Sequence, residues 1–483
     1  MVSDWQEHLV VRRCHPLAAT AKTPDTLTFA LALSSVTVRN LDPGVHAALL
    51  AVDTESISLA ELTRIARAVC RDTDTTRLLR ELGRLYVRKG LAFAVEHGTE
   101  TLCTLWSTSS LGTATLDLAE AGHRYRMSRF AVLRREDSDL VVDSLAGHAR
   151  LSIQRTELAA ALAGLHRPAT EPDLAASLAA ALPPEVLGAC LRLMVLGGVV
   201  GIVDEDGKLP EDRDPDLDLR DPHDLLLHNR SRIGLTTDPV GGTYRMAGTR
   251  PPLPALRAAW SGARTALPRP DLDALTRTDM PLTAVMERRR SRRRFAPVPL
   301  SLDELGEFLF RVFRVKQMLP LDPDEPHSYE GSLRPLPSAG DAHDLEVYVV
   351  AGRIDGLGRG LFHYDPLEHT VAEVAGPGYP VSALLGTAKL SAAIPEEPPA
   401  LIVLASRFGR LAWKYEGLSY AATLKNVGVA YAGMYLAAEA MGLAACGLGS
   451  GDAGSFGAAT GVKPYVESSV GELMLGPAAV AEP

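Results

Sequence analysis

Apolar residues recur in one arrangement at two places along the first half of the chain. Leu78, Leu79, Leu82, Leu85, Tyr86 and Val87 follow a period near 3.6, and after Gly90 the pattern changes to alternation at Leu91, Phe93 and Val95. The spacing predicts an amphipathic helix, a glycine stop and a short strand. Val186, Leu187, Cys190, Leu193, Met194 and Val195, followed by Gly198 and the run Val199 to Val203, repeat it at a constant offset of 108. A shorter helical pattern precedes each copy, at Ser58 to Leu62 and at Glu171 to Ala175. Helix, turn, helix, strand is the winged-helix order. We therefore expect two winged-helix-like modules, at 1–105 and 125–205.

Beyond them the pattern shifts twice. Residues 204–223 are acidic and proline-rich and read as a solvated linker, leading into a segment that ends near 275. From 276 to 483, strand-like runs such as Leu345-Glu-Val-Tyr-Val-Val350 alternate with long helical patterns, as in a catalytic domain of mixed helices and strands. One apolar run, Val427 to Gly449, is long enough for a membrane span, but Glu439 interrupts it and Gly428, Gly433, Ala437 and Ala438 suit a buried helix.

Composition narrows the classes. Apolar residues make up 46% and charged residues 23%, which excludes a disordered or membrane-embedded chain. The net charge of -9 gives no overall attraction to nucleic acid. Five scattered cysteines without a CxxC argue against a disulfide scaffold and against a metal site, and fit a reducing cytoplasm. The first residues carry no signal-peptide pattern. Arg77, Arg80, Arg84 and Arg88 form a stripe on the first repeat helix. It reads first as a solvated face, then as an acceptor for an acidic peptide, and only last as a nucleic-acid contact.

Chemistry concentrates in the last 200 residues. In Glu287-Arg-Arg-Arg-Ser-Arg-Arg-Arg-Phe295, a hydroxyl stands among guanidinium groups, a donor set suited to phosphate. Pro337-Ser-Ala-Gly340 precedes a strand; its small residues would let backbone approach a flat ring, or else form an ordinary loop. Trp413-Lys-Tyr415 enters an apolar helix, and desolvation there would lower the lysine pKa toward neutrality and make it a usable base, whereas a solvated lysine would do nothing. Gly447-Leu-Gly449 follows a helix and lacks the strand-first context of a dinucleotide fingerprint.

In this order, together with Gly360-Leu-Phe-His-Tyr-Asp-Pro366 and Ala444-Ala-Cys-Gly-Leu-Gly449, these segments resemble the nitroreductase superfamily, and within it the SagB/ThcOx-type azoline dehydrogenases of ribosomal peptide natural product (thiopeptide-like) biosynthesis. Asp224 to Gly234 and Gly241-Gly-Thr-Tyr244 resemble that family's lead-in, so the likeness covers about 220–483. It implies an α+β nitroreductase-like, FMN-binding domain behind tandem winged-helix-like modules, and a homodimer with flavin at its interface. Arg289, Ser291 and Arg293 would hold the FMN phosphate; Pro337, Ser338, Ala339 and Gly340 would lie along the ring, with backbone from Gly447 and Gly449 beside it. Lys414 and Tyr415 would form the catalytic pair, Lys414 as base. The implied substrate is an azoline-containing precursor peptide, its leader adding a strand to a wing, with a cyclodehydratase as a candidate partner. The alternatives are an NAD(P)H-dependent reductase of small molecules and a non-catalytic leader-binding scaffold. Relatives carry His, Gln and Asn near the start of the long helix, where this chain shows Val429, Ala432 and Gly433.

Overall fold

A computed structural model describes residues 5–14, 18–31, 35–52, 56–111, 122–177 and 181–479. The chain divides after Asp238 into two compact units.

The first unit is built on strands β1 (Leu9–Arg13), β2 (Ser56–Ser58), β3 (Leu91–His97), β4 (Glu100–Ser107), β5 (Ala131–Glu136), β6 (Asp139–Ser144) and β7 (Ala149–Ile153). They form one antiparallel sheet in the order β2-β1-β3-β4-β7-β6-β5. Helices α1 (Leu59–Val69), α2 (Thr75–Val87) and α3 (Pro184–Leu196) bury their apolar faces with it. Because β4 pairs with β7 through Leu105 and Leu151, the stretches read as two modules share one sheet. They also share one core, which includes Leu82, Phe93, Leu151 and Leu191.

The repeat is present with its register moved by one. In α2 the left-handed residue of the closing turn is Lys89 (φ 63), not Gly90, and in α3 it is Gly198 (φ 64). The closing bonds agree: Lys89 N–H to Tyr86 O and Gly90 N–H to Leu85 O match Gly198 to Val195 and Val199 to Met194. The structural offset is therefore 109. The exit path of the chain decides which residue turns, and a lysine accepts the conformation at a cost of about 1–2 kcal/mol.

Two of the four stripe arginines are already engaged: Arg77 and Arg84 lie 3.0 and 2.7 Å from the buried carboxylate of Glu81, while Arg80 and Arg88 are exposed. The acidic stretch after Val203 is fastened along the unit. Glu211 accepts from Ser128 Oγ and from the Arg129 N–H, and further on Asn229 donates to Leu145 O and Asp238 pairs with Arg150.

The second unit centres on strands β8 (Arg264–Ala266), β9 (Leu345–Ala351), β10 (Gly360–Asp365), β11 (Thr370–Ala375), β12 (Ala400–Arg407), β13 (Leu443–Leu448) and β14 (Glu467–Pro477). Their order is β8-β11-β10-β9-β12-β14-β13. Side chains alternate along β9. Val347 and Val349 enter a core with α4 (Leu302–Phe313) and α6 (Ser419–Ala440). Tyr348 and Val350 enter a second core with α5 (Tyr379–Ser391) and with Phe456 on α7 (Ala453–Thr460). Helices on both faces of an antiparallel sheet make this an α+β domain.

The apolar run from Val427 to Gly449 is not one buried helix. It comprises the second half of α6, a turn at Gly442 (φ 72), and strand β13. α6 buries a single stripe and leaves Leu424, Gly428 and Ala432 exposed along another. Among the described residues, no helix is long and apolar enough to cross a membrane.

Candidate active site

The loop Pro337–Gly340 is held from α6. Asn426, buried on the first turns of that helix, accepts from the Ala339 N–H (3.1 Å) and donates to Ser338 Oγ (3.1 Å) and Asp344 Oδ1 (2.6 Å). Asp344 is fully buried, and its other oxygen accepts from Ser406 (2.7 Å) and Thr423 (2.9 Å). Satisfied on both oxygens, the carboxylate fixes where the chain from the loop enters β9. The backbone turns through left-handed conformations here: Gly340 takes φ 58 freely, whereas Asp341 and His343, at φ 54 and 43, are strained. Such conformations cost a non-glycine residue about 1–3 kcal/mol and persist where surrounding structure enforces them. Burial, reinforced by Arg334 and Arg410, pushes the His343 imidazole down to about 3, so it is neutral.

Gly340 meets the catalytic candidates. A Cβ there would lie 2.6 Å from Lys414 Nζ, 2.7 Å from Tyr415 Oη and 3.0 Å from Tyr329 Oη. Three side chains thus converge on a residue that has none. Lys414 is presented by a backbone fixed on both sides. Its carbonyl accepts from the Tyr244 N–H, Trp413 donates from Nε1 to Arg250 O, and Tyr415–Glu416 pair with Gly241–Gly242. The amine donates to Tyr329 Oη at 2.7 Å, and Tyr329 donates to the Gly340 carbonyl. Nζ also lies 5.0, 5.2 and 5.7 Å from the ring centres of Tyr329, Tyr415 and Tyr244, within cation–π range.

These surroundings overturn the expected protonation of Lys414. Burial alone lowers its pKa, but the bond to Tyr329 and the neighbouring phenols outweigh that, and the net shift is upward. The lysine is only partly desolvated and is well supplied with acceptors, so it rests as an ammonium.

Beneath it, the guanidinium of Arg410 is buried and spent on carbonyls: Ala342 O (2.9 and 2.7 Å), Glu330 O (2.7 Å) and Leu253 O. Burial, with Arg407 nearby, lowers its pKa to about 10. Arg410 binds together the three segments on which the site stands.

The phosphate candidates gather around Tyr435, nine residues further along α6. Ser291 Oγ lies 2.9 Å from Tyr435 Oη, and the exposed Arg289 guanidinium sits 5.2 Å from its ring. Tyr435 Oη also accepts from the Gly447 N–H (2.7 Å), so that N–H is already committed and not open to a ring. Gly449 is exposed with open space around it, and Arg293 is exposed two residues beyond Ser291. Arg292 serves structure: it makes two bonds to buried Glu439 (3.0 and 2.9 Å), and its N–H donates to Ala445 O. Nine helical residues span about 14 Å. A helix carrying the Pro337–Gly340 loop at one end and exposed arginine and hydroxyl donors at the other fits a flat ring joined to a phosphate.

Arg410, Asn426, Asp344 and Tyr329 were not singled out from the sequence. Asp344 and Asn426 are 82 residues apart in sequence and Tyr329 and Lys414 are 85 apart, so no local pattern joins either pair.

Residues 286–476 match the nitroreductase family, and residues 125–237 match a family described as cyanobactin oxidase ThcOx. The second match lies upstream of most of the segment whose motifs carry the resemblance. A nitroreductase of Methanocaldococcus jannaschii is 25% identical over 181 residues, covering 38% of this chain and 82% of that protein. The Escherichia coli microcin synthetase McbBCD, solved with truncated pro-MccB17 bound, is 16% identical over 53% of this chain and 86% of that one, with a TM-score of 0.33. A nitroreductase from Desulfovibrio desulfuricans, solved with FMN, is 16% identical over 43% and 94%, with a TM-score of 0.27. Structural likeness this low adds nothing to the family matches.

Proposed function

We propose that this chain, an oxidoreductase whose residues 286–476 form a nitroreductase-family domain, oxidises azoline rings in a peptide to thiazoles or oxazoles. The observation that carries the reading is the convergence of Lys414 and Tyr415 on Gly340, on a loop suited to lie against a flat ring. The match of 125–237 to an oxidase family supports it over a reductase of small molecules.

Converting an azoline to an azole removes one proton and one hydride, with no other atom gained or lost. Bound FMN supplies the two-electron acceptor for the hydride, with molecular oxygen as final oxidant. Arg289, Ser291 and Arg293 would hold its phosphate, while Pro337, Ser338, Ala339 and Gly340 line the ring and Gly449 offers backbone. Lys414 takes the proton at Nζ after first releasing its own to solvent. Tyr415 Oη, on the same side of Gly340, orients the Lys414 amine or relays the proton. The sheet edges and the exposed Arg80 and Arg88 of the first unit are where an acidic leader would dock, and a cyclodehydratase is the partner expected to supply azolines. The exposed Leu424, Gly428 and Ala432 of α6 suit the interface of a homodimer.

The test is the intact mass of an azoline-bearing peptide incubated with the purified protein and oxygen. Each ring oxidised lowers the mass by two hydrogens without added nicotinamide. An unchanged peptide beside a flavin bleached by NADPH would establish the reductase reading instead, and a protein that holds no flavin would leave the scaffold reading.

A further inference from the structure

Tyr329 lies outside every recognised motif, yet it is the hydrogen-bonded partner of the Lys414 amine. It stands just before Gly331–Leu333, which pairs with Gln317–Leu319, so the backbone on its far side is held. The next residue, Glu330, is fixed twice: its carbonyl accepts from Arg410 (2.7 Å) and its carboxylate from the Ala255 N–H (3.0 Å). The ring packs edge-on to Trp413 at 6.0 Å, and the Arg410 guanidinium lies 5.8 Å from its centre. A half-buried phenol so constrained has little freedom to turn away.

The directions of its two bonds follow from chemistry. A backbone carbonyl can only accept, so the single hydrogen of Tyr329 goes to Gly340 O. Its oxygen is then available only as an acceptor, and Lys414 Nζ fills it. A lysine amine has an N–H to give in either protonation state. When it is neutral, the N–H directed at Tyr329 leaves the nitrogen lone pair aimed elsewhere. Without Tyr329 the amine could rotate among the surrounding rings.

We propose that Tyr329 is a positioning residue that aims the Lys414 amine at the substrate side of Gly340 and sets how readily it gives up its proton. Only its effect on turnover rests on the azoline-oxidase reading; its effect on the lysine does not. The titratable groups facing Nζ are Tyr329, Tyr415 and Tyr244, and the Arg410 guanidinium lies against the Tyr329 ring. Burial alone would favour the neutral amine, and the bond to Tyr329 is the largest contribution opposing it.

The experiment compares the full-length, flavin-loaded protein with Tyr329→Phe. Lysines are labelled by reductive 13C-methylation, the Lys414 signal being identified by its loss in Lys414→Arg; the chain has only eight lysines to resolve. The Phe variant should keep its flavin, titrate Lys414 at lower pH than wild type and, compared at the alkaline plateau where the amine is neutral in both proteins, lose about tenfold or more in kcat with KM within twofold. An unshifted titration with kcat within twofold overturns the proposal. Wild type alone provides a second check if the variant folds poorly: a Lys414 signal titrating below the exposed lysines also overturns it. If wild type fails to oxidise any azoline peptide but the titration still moves in Tyr329→Phe, the azoline reading fails and the positioning role stands.

Discussion

Asp344 Oδ1 and Asn426 Nδ2 stand 2.6 Å apart, joining the end of the Pro337–Gly340 loop to helix α6 across 82 residues of sequence. The same asparagine holds the Ala339 N–H and Ser338 Oγ, so one amide governs both the path of the loop and its attachment. Removing Asp344 would strand Ser406, Thr423 and Asn426 in a buried site. Hydrogen bonds to a charged group are worth about 1.5–3 kcal/mol each, and unpaired partners add their desolvation. Asp344→Ala should therefore lose about 3 kcal/mol or more of stability in urea unfolding. Asp344→Asn, which keeps part of the network, should lose less.

Gly340→Ala should be far more damaging to activity than to folding. The added carbon would press on the Lys414 amine and the Tyr415 hydroxyl at 2.6 and 2.7 Å, and φ 58 disfavours any side chain. Both contacts are side-chain ends that can swing aside, so the fold survives while the pair loses its aim. We expect turnover to fall about a hundredfold or more, since a misplacement near 1 Å at a reacting centre has that effect. Retention of full activity would separate the Lys414–Tyr415 pair from the chemistry.

The raised pKa of Lys414 fixes a direction for the pH profile. An amine that must accept a proton is inactive while it is an ammonium, so kcat should climb with pH from neutral into the alkaline range. Linkage runs the other way: stability from the Lys414–Tyr329 bond is complete below the unfolded lysine pKa and declines as pH rises through the higher folded value. A rate that is flat from pH 6 to 9 would show that Lys414 acts as a fixed charge and not as a base. Lys414→Ala should keep its flavin and lose turnover in either case.

The arginines of the 288–294 cluster should divide by role. Arg289 is exposed beside Ser291 and Tyr435, whereas Arg292 is paired with buried Glu439. Arg289→Ala should weaken FMN retention, read by equilibrium dialysis, by about tenfold with little change in melting temperature, consistent with loss of one charge-assisted contact. Arg292→Ala leaves buried Glu439 with only its longer contact to Arg288 (3.6 Å) and should cost about 1.5–3 kcal/mol of stability.

Periodicity was enough to place the repeat helices and strand β9, because their apolar residues recur at spacings that only one secondary structure can bury. The motif segments marked Lys414, Tyr415, Gly340, Arg289 and Ser291, residues whose types already suggest chemistry. What stayed hidden depends on distance in space. Nothing near Asn426 in the sequence identifies Asp344 as its partner, and Arg410 looks like any surface arginine until its carbonyl acceptors are known. Lys414 was misjudged for a related reason: proximity to an apolar helix suggested desolvation, but Tyr329 and Tyr244, which come from distant segments, supply the acceptor and rings that favour the ammonium. The turn at Lys89 escaped because glycine preference is statistical and the chain exit overrode it.

His343 gives the catalytic unit a specific acid sensitivity. Its imidazole is held neutral in the folded protein, with a pKa pushed down to about 3 by burial and by Arg334 and Arg410. In the unfolded chain it takes up a proton near pH 6.5. Between those values the unfolded state binds more protons, so the contribution of this group is complete above about pH 6.5 and is lost progressively as pH falls toward 3. Across that whole window the loss is on the order of a few kcal/mol. Replacing His343 by Asn retains a residue that tolerates φ 43 and removes the titration. Unfolding free energies measured from pH 7 to 4 should therefore fall less steeply in His343→Asn than in wild type. Parallel curves would mean that the imidazole is already protonated in the folded protein, and that the loop carrying Gly340 opens to water before the rest of the unit.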